Sequence, residues 1–140
     1  MNNIGKSERE SQNRIIQLFK NELQYTYLGN WEEQTRAQPV EEKLLLDFLI
    51  NTQGYSTIVA NKAVQELVKV ATNISSGLYD ANKEVYKLLR YGVSVREELG
   101  EQKERAWFIN WKEPHKNNFA IAEEVTVSGQ HSKRPDIVIY

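Results

Sequence analysis

Hydrophobic positions along the chain follow a helical period in its first two thirds and an alternating one in its last third. Ile15, Ile16, Phe19 and Leu23 recur at helical spacing behind Ser7-Glu8-Arg9-Glu10, a capping-box pattern, and predict a helix over about Ser7–Leu23. Tyr25 to Leu28 is read as a short strand and Gly29-Asn30 as a turn. After a polar stretch from Trp31 to Gln38, Pro39 suits the first position of a helix running to about Thr52, with Gln53-Gly54 closing it. Ala60, Ala63, Val64, Leu67, Val68 and Ala71 form the clearest amphipathic stripe. Ser75-Ser76-Gly77 interrupts it, Asp80 is positioned to cap a further helix through Val85, Leu88 and Leu89, and Gly92 is a natural stop.

Beyond Gly92 the pattern predicts strands at Val93–Arg96, Ala106–Trp111, Phe119–Val127 and Ile137–Tyr140, with a polar loop from Ser128 to Arg134. In the third strand Phe119, Ile121, Val125 and Val127 share one face, with Ala120, Ala122, Glu124 and Thr126 on the other. The expectation is an α+β fold in a single domain over residues 1–140: a helical part over about 7–92, then a small mixed β-sheet over about 93–140.

Composition narrows the function classes. The chain has 140 residues, 40% of them apolar before its seven glycines are counted, which suits one globular domain rather than a disordered segment. With no cysteine there is no disulfide framework, thiolate zinc site or cysteine nucleophile. A formal charge of −1 gives no global attraction to nucleic acid, so any DNA contact needs a local patch. The first residues lack the apolar core of a secretory signal, and Leu44–Ile50, interrupted by Asp47, is too short to span a membrane; a cytoplasmic protein is expected.

No phosphate-cradling GxxxxGK[ST] and no GxSxG elbow occurs, and His115 and His131 lack metal-ligand spacing. Acidic residues in the final strands remain. Pro135 belongs at a strand start or edge, and Asp136 follows it directly, ahead of Ile137. That carboxylate is either a metal ligand held at the strand's open end or the end of a turn, and spacing alone favours the turn. Glu123-Glu124 breaks the apolar alternation. If residues 119–127 and 136–140 pair as a hairpin, one of these carboxylates approaches Asp136, while an exposed edge pair is the alternative. Lys133 and Arg134 are candidates for phosphate contacts or solvated surface. Trp107, Trp111 and Phe119 are read as core rather than as base-stacking groups.

Four strings, SERESQNRIIQLF, GYSTIVANKAVQELVKVA, YGVSVREELGEQKERAWFINW and NNFAIAEEVTVSGQHSKRPDIVIY, together resemble the N-terminal region of the R subunit of type I restriction enzymes over essentially Ser7 to Tyr140. RPDIVIY is similar to the first half of that subunit's PD-(D/E)xK nuclease motif. The resemblance implies an incomplete PD-(D/E)xK restriction-endonuclease-like core and Mg²⁺-dependent cleavage of double-stranded DNA, with ATP used only by motor domains further along the intact subunit. It implies Asp136 as a catalytic metal ligand and Glu8 as the early acidic residue of the metal site, with Glu10 as fallback. The motif's Glu-x-Lys is expected beyond Tyr140, so this chain alone is expected not to cleave DNA. Expected partners are DNA, the modification and specificity subunits and, through the apolar strand 136–140, a second copy. The alternatives are a DNA- or subunit-binding module without catalysis, and a decoy or remnant of a disrupted gene.

Overall fold

The structure is a computed structural model that describes residues 7–36, 40–128 and 133–140. It has the expected α+β character: among the described residues there are four α-helices, a small mixed three-stranded sheet and two strand pairs. The chain forms two compact units, one from its two ends (Met1–Ala37 with Asn118–Tyr140) and one from Gln38–Asn117. Strands therefore also occur in the part read as helical. No helix among the described residues is long and apolar enough to cross a membrane.

In the unit built from the ends, helix α1 (Glu8–Gln17) runs into a π-helical turn (Leu18–Glu22). Both arms of the capping box form: Glu10 N–H donates to Ser7 Oγ at 3.3 Å, and Ser7 N–H donates to Glu10 Oε2 at 3.0 Å. Of the expected apolar stripe only Ile16 is buried; Phe19 is half-buried, and Ile15 and Leu23 are exposed. Strand β1 (Thr26–Asn30) absorbs Gly29-Asn30, which the sequence suggests as a turn. Gly29 takes a left-handed φ of 99°, and the pairing register shifts between Tyr27 and Asn30, so glycine makes a bulge within the strand. Strand β2 (Thr35–Arg36) follows in the stretch read as unpatterned.

In the central unit, Pro39 lies outside the described residues, and helix α2 (Glu42–Asp47) continues as a π-helical turn to Thr52. Helix α3 (Thr57–Thr72) carries the predicted stripe inward: Ala60, Ala63, Val64 and Leu67 are buried, and Ser56 Oγ caps Val59 N–H at 3.2 Å. Helix α4 (Leu78–Tyr91) begins after Gly77, not at Asp80; Asp80 falls within its first turn, where its charge complements the positive helix end. Gly92, at φ 73°, ends the helix as predicted.

Strands β3 (Val93–Val95) and β4 (Glu104–Ala106) form an antiparallel hairpin. The strand expected over Ala106–Trp111 thus stops at its first residue. Trp107 N–H donates to Tyr55 Oη at 2.9 Å and its carbonyl accepts from Gln53 Nε2 at 3.1 Å, so side chains take the groups that would continue the ladder. Phe48, Leu49, Val59, Ala63, Val93 and Phe108 belong to one dry core. Trp107 and Trp111 do not join it: both are exposed, contrary to their reading as core, and so is Phe119 in the other unit.

The long strand expected over Phe119–Val127 is two strands, β5 (Ala120–Glu123) and β6 (Thr126–Val127). Glu124 separates them with a left-handed φ of 51°. Strand β7 (Ile137–Ile139) completes a three-stranded sheet ordered β1-β5-β7, with β5 parallel to β1 and antiparallel to β7; β6 pairs with β2. All four residues of β5 are buried, so the central strand has no solvent face and the expected alternation does not persist there.

Candidate functional site

Strands β5 and β7 pair Glu123 with Ile137 and Ala122 with Val138, the hairpin pairing that brings the acidic pair to the strand start at Asp136. Pro135 lies just before β7, where its carbonyl accepts from Val125 N–H at 3.2 Å and no amide proton is required of it. The Asp136 carbonyl accepts from Glu124 N–H at 2.9 Å, while the Asp136 residue itself is exposed.

Helix α1 faces this point with Gln12, which is buried. Its side-chain amide donates to Glu123 Oε1 at 3.0 Å, to Glu124 Oε1 at 3.3 Å and to the Asp136 carbonyl at 3.4 Å. Strand alternation would send the two glutamates to opposite faces, and the left-handed backbone at Glu124 is what brings both carboxylates within reach of one amide. Glu123 is only 2% exposed, which overturns the reading of this pair as an exposed edge.

A buried carboxylate is costly unless partnered, and Glu123 is well partnered. Arg9 Nη1 lies 3.1 Å from Oε1, and the Tyr27 hydroxyl donates to Oε2. The hydrogen bond to Glu123 pushes the Tyr27 pKa above its ordinary value, reinforced by burial and by the Glu123 charge and opposed by Arg9. Arg134 joins the outer edge of the group, with Nε 3.0 Å from Glu124 Oε2 and Nη1 2.7 Å from Glu32 Oε1.

The residues singled out in the sequence fare differently. Asp136 and Glu8 are both exposed, on β7's leading turn and the first turn of α1. The Glu10 carboxylate is held by the capping box. Arg134 is engaged by two carboxylates rather than standing free, and Lys133 is exposed with its backbone bridged to Val127. His115 lies in a 3₁₀ turn (Pro114–Lys116), and His131 is outside the described residues. Sequence reasoning missed Arg9, Gln12 and Tyr27. Gln12 had a signal: it stands one turn before Ile16 and two before Phe19, a polar residue on the apolar stripe.

Among the described residues no group of three or more His, Asp or Glu is arranged to hold a metal ion. Glu123 is enclosed by Arg9, Gln12 and Tyr27, and Glu124 is bound by Arg134, so neither offers free oxygens to a divalent cation. The donor set as it stands does not fit a preformed Mg²⁺ site.

The family described as type I restriction enzyme R protein N terminus matches residues 5–140. The chain belongs to that family. No curated protein and no solved structure matches it. In this R protein N-terminal chain, the motif-like RPDIVIY is the segment that supplies β7, and its aspartate lies beside the Gln12–Glu123 cluster.

Proposed function

We propose that the chain is the nuclease region of a type I restriction R subunit and that Asp136 is its metal-ligating carboxylate, with Glu8 completing the site. The observation that carries this reading is the exposed Asp136 at the leading end of β7, joined through its carbonyl to the acidic pair and to Gln12 of α1. A residue whose backbone is tied to a strand on one side and a helix on the other presents its side chain from a defined position, which suits chemistry at a phosphodiester. In the intact assembly the reaction is cleavage of unmodified double-stranded DNA in the cytoplasm, dependent on Mg²⁺ and on ATP-driven motor domains, alongside modification and specificity subunits.

Since the described carboxylates other than Asp136 and Glu8 near this edge are neutralised by their partners, the 140 residues tested alone should bind Mg²⁺ weakly and leave plasmid DNA uncut. A plasmid-nicking assay with Mg²⁺ compares this chain with one continued through a Glu-x-Lys strand. Cutting by the longer chain only, lost on Asp136→Ala, is the expected result. Cutting by the 140-residue chain that Asp136→Ala abolishes would overturn the inactivity, and no effect of Asp136→Ala on the longer chain would overturn the assignment.

A second reading is binding without catalysis. Arg134 favours it, because its half-exposed guanidinium, shared between the exposed Glu32 and the partly buried Glu124, can exchange a carboxylate for phosphate oxygens. Duplex binding that weakens steeply with salt and loses that slope in Lys133→Ala/Arg134→Ala would support it.

A further inference from the structure

The outward face of α4 carries chemistry that the reading above does not use. Its core side is Ala81, Val85, Leu88 and Leu89. On the opposite side Tyr79, Lys83, Tyr86 and Arg90 recur at helical spacing, within an arc of about 60° at 3.6 residues per turn. Aromatic and cation therefore alternate along one exposed stripe; Tyr79 is 80% and Tyr86 62% exposed.

The stripe ends on fixed indoles. The Arg90 guanidinium lies over the Trp111 ring at 5.2 Å and over Tyr91 at 5.6 Å, and Trp111 Nε1 donates to the Leu89 carbonyl at 3.0 Å. Arg105 lies over the neighbouring Trp107 at 6.0 Å, and its guanidinium also donates to the Tyr91 carbonyl. Backbone hydrogen bonds from Tyr55 and Gln53 pin Trp107 on both sides. Yet Trp107 is 36% and Trp111 46% exposed. Trp111 is held through its indole N–H and Trp107 through its backbone, and two partly exposed indoles so placed are poor core and good stacking surfaces. Arg90 and Arg105 at the indoles, and Lys83 two turns earlier on the stripe, give it a positive character suited to phosphate, with Glu84 occupied by Lys87 at 3.1 Å.

We propose that Tyr79, Lys83, Tyr86, Arg90, Trp107 and Trp111 form a track for single-stranded nucleic acid, the rings stacking on unpaired bases and the cations following the backbone. Bases inside a duplex hide their faces, so this surface selects unpaired strands. It lies wholly within Gln38–Asn117 and does not depend on Asp136 or its partners.

The test is fluorescence anisotropy of a labelled oligothymidylate with the 140-residue chain at low salt. Binding is expected, with Trp111→Ala and Tyr86→Ala each weakening it about 5- to 100-fold. Trp111→Phe should retain most of the affinity, and Arg90→Ala should lower the slope of the salt dependence. Tyr86 is exposed, so its variant reads the surface even if Trp111→Ala loosens the fold. The proposal is overturned by absence of binding, by displacement with duplex as efficient as with single strand, or by unchanged affinity in both alanine variants. Dimerisation reversed by Tyr86→Ala, with no oligothymidylate bound, would overturn it in favour of a second copy covering this face.

Discussion

In Gln38–Asn117 the buried side chains are apolar, from Phe48 and Leu49 through Val59, Ala63 and Val64 to Phe108, while the two buried polar side chains among the described residues, Gln12 and Glu123, both belong to the unit built from the chain ends. The first interior is stabilised by area removed from water, which is indifferent to direction. The second contains a charge whose cost is offset only while Arg9, Gln12 and Tyr27 hold their geometry. A dry core tolerates repacking; a polar one fixes a particular arrangement of α1 against β5 and β7 or fails. The candidate site lies in the unit with the directional interior.

That contrast can be broken from either side. Leu49→Ala, at a fully buried site, should have the largest effect, about 2–5 kcal/mol, and should speed amide hydrogen exchange within Gln38–Asn117. Gly92→Ala comes next. A left-handed backbone costs a side chain about 1–3 kcal/mol, and the new Cβ would meet the Ala106 carbonyl oxygen at 2.7 Å; a lowered midpoint in urea checks it. Gln12→Leu removes the shared donor while Glu123 stays buried, and should cost about 1–3 kcal/mol, with faster exchange in β5 and β7.

Tyr27→Phe sharpens the comparison through pH. The folded Tyr27 pKa is raised, so the folded state holds its proton above pH 10 more tightly than the unfolded chain does. Its stabilisation is full below the unfolded value of 10.0 and fades as pH climbs through the raised folded value. Alkaline unfolding monitored by exchange in β1 and β5 should show this loss, and Tyr27→Phe should be weaker at neutral pH but flatter above pH 10. Smallest of all, Arg134→Ala breaks exposed or half-exposed pairs with Glu32 and Glu124, and a thermal melt should register only about 0.2–1 kcal/mol.

The sequence was most legible where one periodicity ruled. The α3 stripe is buried as its spacing predicts, the Ser7 capping box forms with both arms, and Gly92 ends α4. Legibility failed where a distant group intervened. Tyr55 and Gln53, about 50 residues earlier, end β4 at Ala106 and leave Trp107 outside the core. A positive φ at Glu124, rare outside glycine, divides one expected strand into two and gathers two glutamates on Gln12. Of the candidate site, the nearness of Asp136 to the acidic pair was readable as a consequence of pairing 119–127 with 136–140 in a hairpin. Arg9 and Tyr27 were not, and Gln12 showed only as a polar residue on an apolar stripe, because polar groups on a helix or an edge look solvated until a buried charge calls for them.

Strand β5 has its parallel partner β1 about 90 residues upstream and its antiparallel partner β7 just downstream. During synthesis, therefore, α1 and β1 emerge well ahead of the strand β1 pairs with, and the whole of Gln38–Asn117 is made before Ala120 and Ile121 arrive. The central unit can condense around local contacts while the amino-terminal segment waits. Its sheet closes last, and with it the enclosure of Glu123: the charge is buried only when both ends of the chain are present to neutralise it.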